Sequence, residues 1–196
     1  MPIRLLDPSE VALVADFYRA APDYWLLAEG TCDPDRQAAE FFTDGPPACD
    51  RSLTHHLGLF LPAAETGDPR AGTGASHSPC ADGRGVEGRP ILPASPDGMR
   101  LSGVAELSYG FPEATDAYLG LMLLGPWARG AGHGRAMLDQ AETLARARGA
   151  RRIVLAVLEA NPRGRAFWER EGFRATGLSR RDQVTGHTLH RLVKAL

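Results

Sequence analysis

The sequence has little of what marks several large classes of protein. Its 196 residues include only three cysteines, an odd number without a C-x-x-C pair, so neither a disulfide framework nor a cysteine-based metal site is expected. No apolar run approaches the ~18–20 residues that a membrane helix needs. Basic and acidic residues number 22 and 24, a net charge of −2 without the basic surplus typical of nucleic-acid-binding proteins.

These absences favour a soluble protein that binds neither membrane nor nucleic acid. The N-terminal segment, MPIRLLDPSE, lacks the charged-then-apolar pattern of a secretory signal, so we expect a cytoplasmic location. A chain of 196 residues fits one domain of ordinary size. We therefore expect a single domain over residues 1–196.

The N-terminal third predicts one strand and two helices. A short apolar strand at 3–6 precedes Asp7-Pro8-Ser9-Glu10, which combines an N-cap, a proline at the first helical position and a carboxylate three residues after the cap. Apolar residues then recur at helical spacing from Val11 to Tyr18. Asp33-Pro34 begins a second helix in the same way. The aromatic segment 22–27 between the two helices is interpreted as a connection.

The rest of the chain predicts six strands and two helices. Segment 117–124 is apolar on both faces, as in a strand at the centre of a sheet. One helix follows the glycine-rich segment 129–134, and a shorter one follows Asn161-Pro162. The element order β-α-α-β-β-β-α-β-α-β-β is typical of a mixed α/β sheet. The strands are expected at 53–61, 100–109, 117–124, 152–158, 173–178 and 187–193.

Residues 62–98 have a different composition from the rest of the chain. They contain seven glycines and six prolines in 37 positions, so about a third of them break regular structure. We predict an inserted surface loop between two strands. A short lid over an active site is the alternative interpretation.

The most informative segment is Arg129-Gly130-Ala131-Gly132-His133-Gly134, which lies between a buried strand and a helix. Small residues allow a ligand to approach the backbone, and a helix N-terminus presents unpaired N–H groups, so the segment predicts an anion site to which Arg129 and Arg135 add charge. The spacing fits neither a P-loop, since no lysine follows the glycines, nor the G-x-G-x-x-G dinucleotide pattern. A simple tight turn remains an alternative at this point.

The pattern R-x-x-G-x-G over Arg129–Gly134 strongly resembles the acyl-CoA motif of the GCN5-related N-acetyltransferase (GNAT) family. A second segment, IVLAVLEANPRGRAFWEREGF at 153–173, resembles the next strand and helix of that family. The resemblance is firm over 100–173, weaker over 1–61 and the last two strands, and absent over 62–98. It implies a mostly antiparallel sheet with a splayed parallel pair of central strands, flanked by helices.

The resemblance also implies that acetyl-CoA is the acyl donor. No metal is expected, because His55 and His56, like His187 and His190, must face opposite sides of their strand. Its pantetheine arm would enter between the splayed strands and pair with the backbone of Met122, Leu123 and Leu124. Its pyrophosphate would lie on the N–H groups of residues 130–135. Asn161 caps a helix and, by resemblance, reaches toward the cofactor or the reacting amine. The implied cofactor-binding residues are Met122, Leu123, Leu124, Arg129, Gly130, Ala131, Gly132, His133, Gly134, Arg135, Asn161 and Trp168.

The implied reaction is attack of a neutral amine on the thioester. Glu106 is the preferred base, because the alternation of its neighbours allows it to point into the cleft; a solvent-facing Glu106 is the alternative. The backbone N–H near Met122 would stabilise the developing oxyanion, and Asn161 is the third candidate catalytic residue. Trp168 stands where the family often has a tyrosine acid, and an indole N–H cannot deliver a proton.

The acceptor is expected to be a small-molecule or peptide amine. By resemblance the N-terminal helices wall its side of the cleft, which makes Tyr24 and Trp25 candidate substrate-binding residues together with Glu106. A homodimer is common for this fold, and the sequence does not decide the matter. Two alternatives stay open: a non-catalytic acyl-CoA-binding protein on the same fold, suggested by Trp168, and a domain whose glycine loop is only a turn.

Overall fold

The computed structural model describes residues 2–47, 49–63 and 98–196. These parts of the chain form seven strands and five α-helices. The strands are β1 (Ile3–Leu5), β2 (His55–Pro62), β3 (Met99–Tyr109), β4 (Asp116–Leu124), β5 (Arg152–Leu158), β6 (Arg174–Arg181) and β7 (Thr188–Ala195). The helices are α1 (Val11–Ala20), α2 (Asp23–Glu29), α3 (Pro34–Thr43), α4 (His133–Ala147) and α5 (Pro162–Arg170).

The capping residues that the sequence shows begin a 3-10 turn, Pro8–Glu10, which leads directly into α1. The Asp7 carboxylate accepts from the Ser9 N–H at 2.9 Å, and the Glu10 carboxylate accepts from the Asp7 N–H at 3.0 Å. This reciprocal pair satisfies N–H groups that the first turn leaves unpaired. The helix expected from Asp33-Pro34 is also present as α3, capped by the Asp33 side chain.

The expectation for segment 22–27 was wrong, because most of it is helical. Residues Asp23–Glu29 form α2, which ends at Gly30 in the left-handed conformation, φ 74°. Four consecutive large apolar residues, Tyr24 to Leu27, hide the polar face that normally reveals a helix. No helix in the described ranges is long and apolar enough to cross a membrane.

All seven strands join one sheet in the order β1-β2-β3-β4-β5-β7-β6. Every neighbouring pair is antiparallel except β4 and β5, which run parallel with α4 as their crossover. This confirms the predicted mixed, mostly antiparallel sheet with a central parallel pair. The observed strand bounds lie within a few residues of the predicted ones.

Helices cover both faces of the sheet and divide the core in two. On one face, α4 and α5 bury side chains such as Met137, Leu138 and Trp168 against the central strands. On the other, α1 and α3 bury Phe17, Tyr18 and Phe41 against β2 and β3. Because side chains pack closely on both faces of the sheet, β3 and β4 are held rigidly and can position the residues of a binding site.

The predicted insertion at 62–98 falls mostly outside the described residues. Its flanking strands are present, since β2 ends at Pro62 and β3 begins at Met99. Residues 64–97 lie between the described ranges, so the insertion and the single domain over 1–196 stay predictions.

Candidate active site

The two parallel strands separate partway along their length. They pair at only three positions, Asp116 with Arg152, Ala117 with Ile153 and Tyr118 with Val154. Beyond Tyr118 the strands diverge around a cleft of about 530 Å³, as the resemblance implied. The residues that line this cleft from β4, β5, the glycine loop and α5 include Leu119–Leu124, Leu155–Leu158, Gly130, Gly132, Gly134, Asn161, Arg163, Gly164, Phe167 and Trp168.

A β-bulge at Gly120 begins the divergence. In the register of β3 and β4, Glu106 pairs with Leu121 and Leu107 pairs with Leu119, so Gly120 is the extra residue on β4. A bulge of this type bends its strand and increases the local twist. The sequence carried no signal for its position beyond the glycine itself.

Backbone groups of β4 face the cleft beyond the bulge. The Gly125 N–H donates to the Ser102 carbonyl of β3 at 2.9 Å, and antiparallel strands alternate between bonded and non-bonded positions. Counting back from Gly125, Met122 and Leu124 therefore direct their N–H and C=O groups away from β3 and toward the cleft. Leu123 directs its backbone groups toward β3, so its predicted main-chain contact with a ligand does not fit this register.

The glycine loop leads directly into α4. Gly130 and Gly132 have φ angles of 84° and 82°, a region that L side chains rarely adopt. The first helical bond runs from the Ala136 N–H to the Gly132 carbonyl, which leaves the first turn of α4 presenting N–H groups at the cleft. Ala131 and His133 belong to the loop but are not among the residues that line the cleft.

Both arginines of the predicted anion site are already paired with acids. The Arg129 guanidinium donates to Asp23 of α2 at 2.6 Å and to the Leu124 carbonyl at 2.8 Å. Arg135 donates to Asp139 and to Glu171, each at 2.8 Å. Because both guanidinium groups are paired, the backbone N–H groups at the start of α4 are the donors that this loop offers to an anion.

Two further cationic side chains, not predicted from the sequence, also line the cleft. Arg163 and Arg170 project from α5, and Arg163 has no carboxylate partner in the described ranges. Both arginines lie in the helix that the sequence predicts after Asn161-Pro162, so their place near the cleft could have been predicted.

Glu106 lies on the sheet face opposite α4 and α5, against the bulge. It is 8% exposed, and a Cβ built on Gly120 would stand 3.0 Å from its Oε1 atom. The Ser108 hydroxyl donates to Oε1 at 3.4 Å. Burial raises the pKa of Glu106 to about 7, more than the Ser108 hydroxyl lowers it. Glu106 is thus a buried carboxylate rather than the solvent-facing one of the alternative. It does not itself line the cleft, but it lies against Gly120, which does.

Asn161 and Trp168 both line the cleft from α5. The Asn161 Oδ1 atom accepts from the Gly164 N–H at 2.9 Å, so the capping role is present. Trp168 is 9% exposed and packs edge-on against Phe167 and Phe173, with ring centroids 4.8 and 5.3 Å away. The position that the family often gives to a tyrosine is therefore occupied by a packed indole.

The two candidate acceptor residues of α2 have different environments. Tyr24 lines the cleft, whereas Trp25 does not. The Trp25 ring packs edge-on against Tyr18 and Tyr24, with centroids 5.1 and 5.4 Å away. Of the two, the structure brings only Tyr24 to the cleft, and Trp25 anchors α2 on α1.

The adjacent histidines of β2 face opposite sides of the sheet, as strand alternation requires. His55 Nδ1 lies 2.7 Å from the Tyr109 hydroxyl, and His56 packs between the rings of Phe41 and Phe42. Among the residues that the structure describes, no group of three His, Cys, Asp or Glu side chains could hold a metal ion.

Comparison with known proteins gives a family for this geometry. The model of the acetyltransferase (GNAT) family matches residues 16–173. The whole chain superposes on an acetyltransferase from Thermus thermophilus, with 22% identity, 98% of that chain covered and a TM-score of 0.62. No curated protein sequence matches the chain significantly.

Two more solved structures share the fold over the full length of the chain. One is a GCN5-related N-acetyltransferase from Kribbella flavida, with 20% identity, 97% of that chain covered and a TM-score of 0.58. The other is the PaiA N-acetyltransferase from Thermoplasma acidophilum in complex with coenzyme A, with 14% identity, 98% covered and a TM-score of 0.60. At these identities the similarity is one of fold.

Proposed function

The chain belongs to the acetyltransferase (GNAT) family, and we propose that it transfers an acetyl group from acetyl-CoA to a primary amine of a small molecule or peptide. The observation that carries the proposal is the cleft between β4 and β5, which opens beside the N-terminus of α4. The coenzyme A bound to the PaiA protein, which shares this fold, supports the choice of donor.

The residues present fit a ligand that has an amide-containing arm and a pyrophosphate. The Met122 C=O and the Leu124 N–H, which the strand directs toward the cleft, can pair with the amides, as a peptide pairs with a sheet edge. The first turn of α4, at Gly134 and Arg135, can bind the phosphates through its N–H groups. Arg163 adds a cation that no described carboxylate neutralises.

Acetyl-CoA supplies an activated acyl group: the amine nitrogen bonds to the carbonyl carbon, the C–S bond breaks, and the sulfur leaves with the thioester electron pair. The amine must first be neutral, and an alkylamine with a pKa near 10.4 is mostly protonated at pH 7. Glu106 is the group that accepts this proton. A buried carboxylate with a pKa of about 7 is well matched to the task at neutral pH.

The oxygen that gains negative charge during the attack needs a hydrogen-bond donor. The Met122 N–H faces the cleft just past the bulge and is the donor that we assign to this role. Asn161 keeps its Oδ1 atom on the helix cap, so only its Nδ2 donor is left for a ligand. Tyr24 forms the wall on the side of α2.

Trp168 is the one feature that favours a second candidate function, non-catalytic binding of acyl-CoA. Without a tyrosine acid at this position, the leaving thiolate takes its proton from water or from another group. Loss of an acid catalyst costs ~10²–10⁴-fold in rate. A thiol with a pKa near 8.5 is a tolerable leaving group, which is why we favour catalysis.

Calorimetric titration with acetyl-CoA tests the binding half of the proposal. Saturable micromolar binding is expected, with weaker binding of dephospho-CoA and none of free acetate. A Gly134→Glu variant should abolish binding, because it places a carboxylate at the first turn of α4. The matched control is Ala147→Glu at the exposed far end of the same helix.

Absence of binding at millimolar acetyl-CoA would overturn the proposal. Binding that persists in Gly134→Glu would place the ligand elsewhere. Release of free CoA that requires an added amine would exclude the non-catalytic alternative.

A further inference from the structure

An arginine on the far side of the parallel strand pair from Glu106 forms no ion pair with a described carboxylate. Arg191, in the middle of β7, pairs in register with Ala156 of β5, and Ala156 is exposed in the cleft. Within residues 2–47, 49–63 and 98–196, no carboxylate forms an ion pair with Arg191, although its side chain is partly buried. Its guanidinium lies 5.9 Å from the centroid of the Phe111 ring.

The sheet register places Arg191 on the same face as Tyr118. Val193, two residues after Arg191, pairs with Val154, and Val154 pairs with Tyr118. Paired residues share a face, and residues two apart on a strand also share one. The ring contact of Tyr118 with Phe111, at 5.2 Å between centroids, agrees with this placement.

Glu106 lies on this face as well. Tyr118 pairs with Ser108, and Ser108 is two residues from Glu106 on β3 and contacts its carboxylate. Burial raises the pKa of Tyr118; Arg191 and Arg180 oppose that rise and Glu106 adds to it. The ring therefore lies between a carboxylate on one side and guanidinium groups on the other.

The space between these opposite charges suits an acceptor that carries both charges itself. Glu106 on β3 and Arg191 on β7 are three strand spacings apart, about 14 Å where the strands pair and more where β4 and β5 diverge. Two long side chains with a small acceptor between them can span that gap. Near Glu106, the charges of Asp44 and Arg51 act in opposite directions on its pKa and so partly cancel. No described carboxylate lies within ion-pair distance of Arg191.

We propose that the acceptor is an amino acid or a similar amino-carboxylate, whose amine lies at Glu106 and whose carboxylate pairs with Arg191. This inference rests on the proposed acetyl transfer and names the acceptor of that same site. A guanidinium fork matches a carboxylate in geometry as well as in charge. A polyamine or a simple alkylamine would leave Arg191 without a partner, and a polyamine would also be repelled by it.

The test compares acids with their neutral counterparts. The twenty proteinogenic amino acids and their carboxamides are supplied as acceptors with acetyl-CoA, and release of free CoA is measured. We expect the best substrates to be acids, and each of these to have kcat/KM at least 10-fold above its carboxamide. Calorimetric titration of the CoA-loaded protein with the best acid and with its carboxamide gives a second readout that needs no turnover.

Two variants test whether Arg191 causes the preference for acids over carboxamides. Arg191→Gln should raise KM for the acid about 10- to 100-fold and leave the carboxamide unaffected. Arg181→Gln removes the same charge from an exposed position of β6 on the opposite face, and it should behave as wild type. Because the acid–carboxamide comparison uses the wild-type protein, it holds even where Arg191→Gln fails to fold.

Two results would overturn the inference and leave acetyl transfer standing. One is equal use of acids and carboxamides; the other is turnover of simple amines or polyamines with no turnover of amino acids. If no amine of any class releases CoA although acetyl-CoA binds, acetyl transfer itself is refuted, and the proposed acceptor with it.

Discussion

The Glu106 carboxylate occupies the space beside Gly120 that a side chain would otherwise fill. A Cβ at Gly120 would stand 3.0 Å from Oε1 and 3.2 Å from Cδ of Glu106. Because Gly120 is also the bulge residue and lines the cleft, one position affects both the divergence of the strands and the access of Glu106, the proposed base, to the cleft.

Replacing Gly120 by alanine should displace the Glu106 carboxylate and lower kcat by about 10-fold or more, since general-base catalysis depends on placement. The matched control is Gly45→Ala, whose added Cβ would meet the Ser108 hydroxyl at an ordinary 3.9 Å. Steady-state kinetics on both variants checks the prediction. Wild-type kcat in Gly120→Ala would show that the close contact has no catalytic role.

The rate should depend on the protonation of Glu106. With a pKa of about 7, the carboxylate is the active form, so kcat/KM should rise with pH and bend near pH 7. In Glu106→Gln this bend should disappear and the rate should fall ~10²–10⁴-fold. The rise of kcat/KM with pH that remains would be due to deprotonation of the amine. Glu113→Gln, at an exposed turn, is the control. A bend near pH 7 that survives in Glu106→Gln would assign it to another group.

The free energy of unfolding should also depend on the protonation of Glu106, and it can be measured without any assay of activity. The folded pKa of about 7 lies above the ordinary 4.5, so the unfolded chain loses this proton first as the pH rises. Glu106 therefore reduces the free energy of unfolding between pH 4.5 and 7, by about 3 kcal/mol at pH 8 relative to pH 4. Glu106→Gln should remove that loss in denaturant titrations at the two pH values. If the free energy of unfolding of Glu106→Gln depended on pH as that of the wild type does, the Glu106 carboxylate would not have the raised pKa that its burial implies.

Substitution of Trp168 tests whether a missing acid limits turnover. Trp168→Tyr should raise kcat by up to about 10-fold, because a phenol can protonate the leaving thiolate and an indole cannot. Trp168→Phe introduces a similar loss of volume without a hydroxyl and should show no gain. Equal kcat in the two variants would mean that protonation of the thiolate is not rate-limiting.

Much of the fold was predictable because its signals are local. The capping box at Asp7–Glu10, the apolar strand 117–124 and the glycine loop each carry their own pattern. The divergence of β4 and β5 was predicted from the family resemblance, and the periodicity of the sequence did not indicate it. Helix α2 was missed because its run of large apolar residues has no helical period.

The charges around the site could not be predicted, because their partners are distant in sequence. Arg129 pairs with Asp23, 106 positions earlier in the chain, so its guanidinium holds α2 and not only the glycine loop. The raised pKa of Glu106 comes from burial beneath elements that the sequence cannot place. The proximity of Tyr118 and Arg191 appears only once the register of β4, β5 and β7 is known.

The most direct test of the account is the steady release of free CoA from acetyl-CoA by the purified protein, with and without an added amine. The account predicts release that saturates with amine concentration, matches the acetylated amine formed mole for mole, and falls ~10²–10⁴-fold in Glu106→Gln. Saturable binding of acetyl-CoA without amine-dependent release, across acids, carboxamides and simple amines, would contradict it and identify the protein as a binder of acyl-CoA.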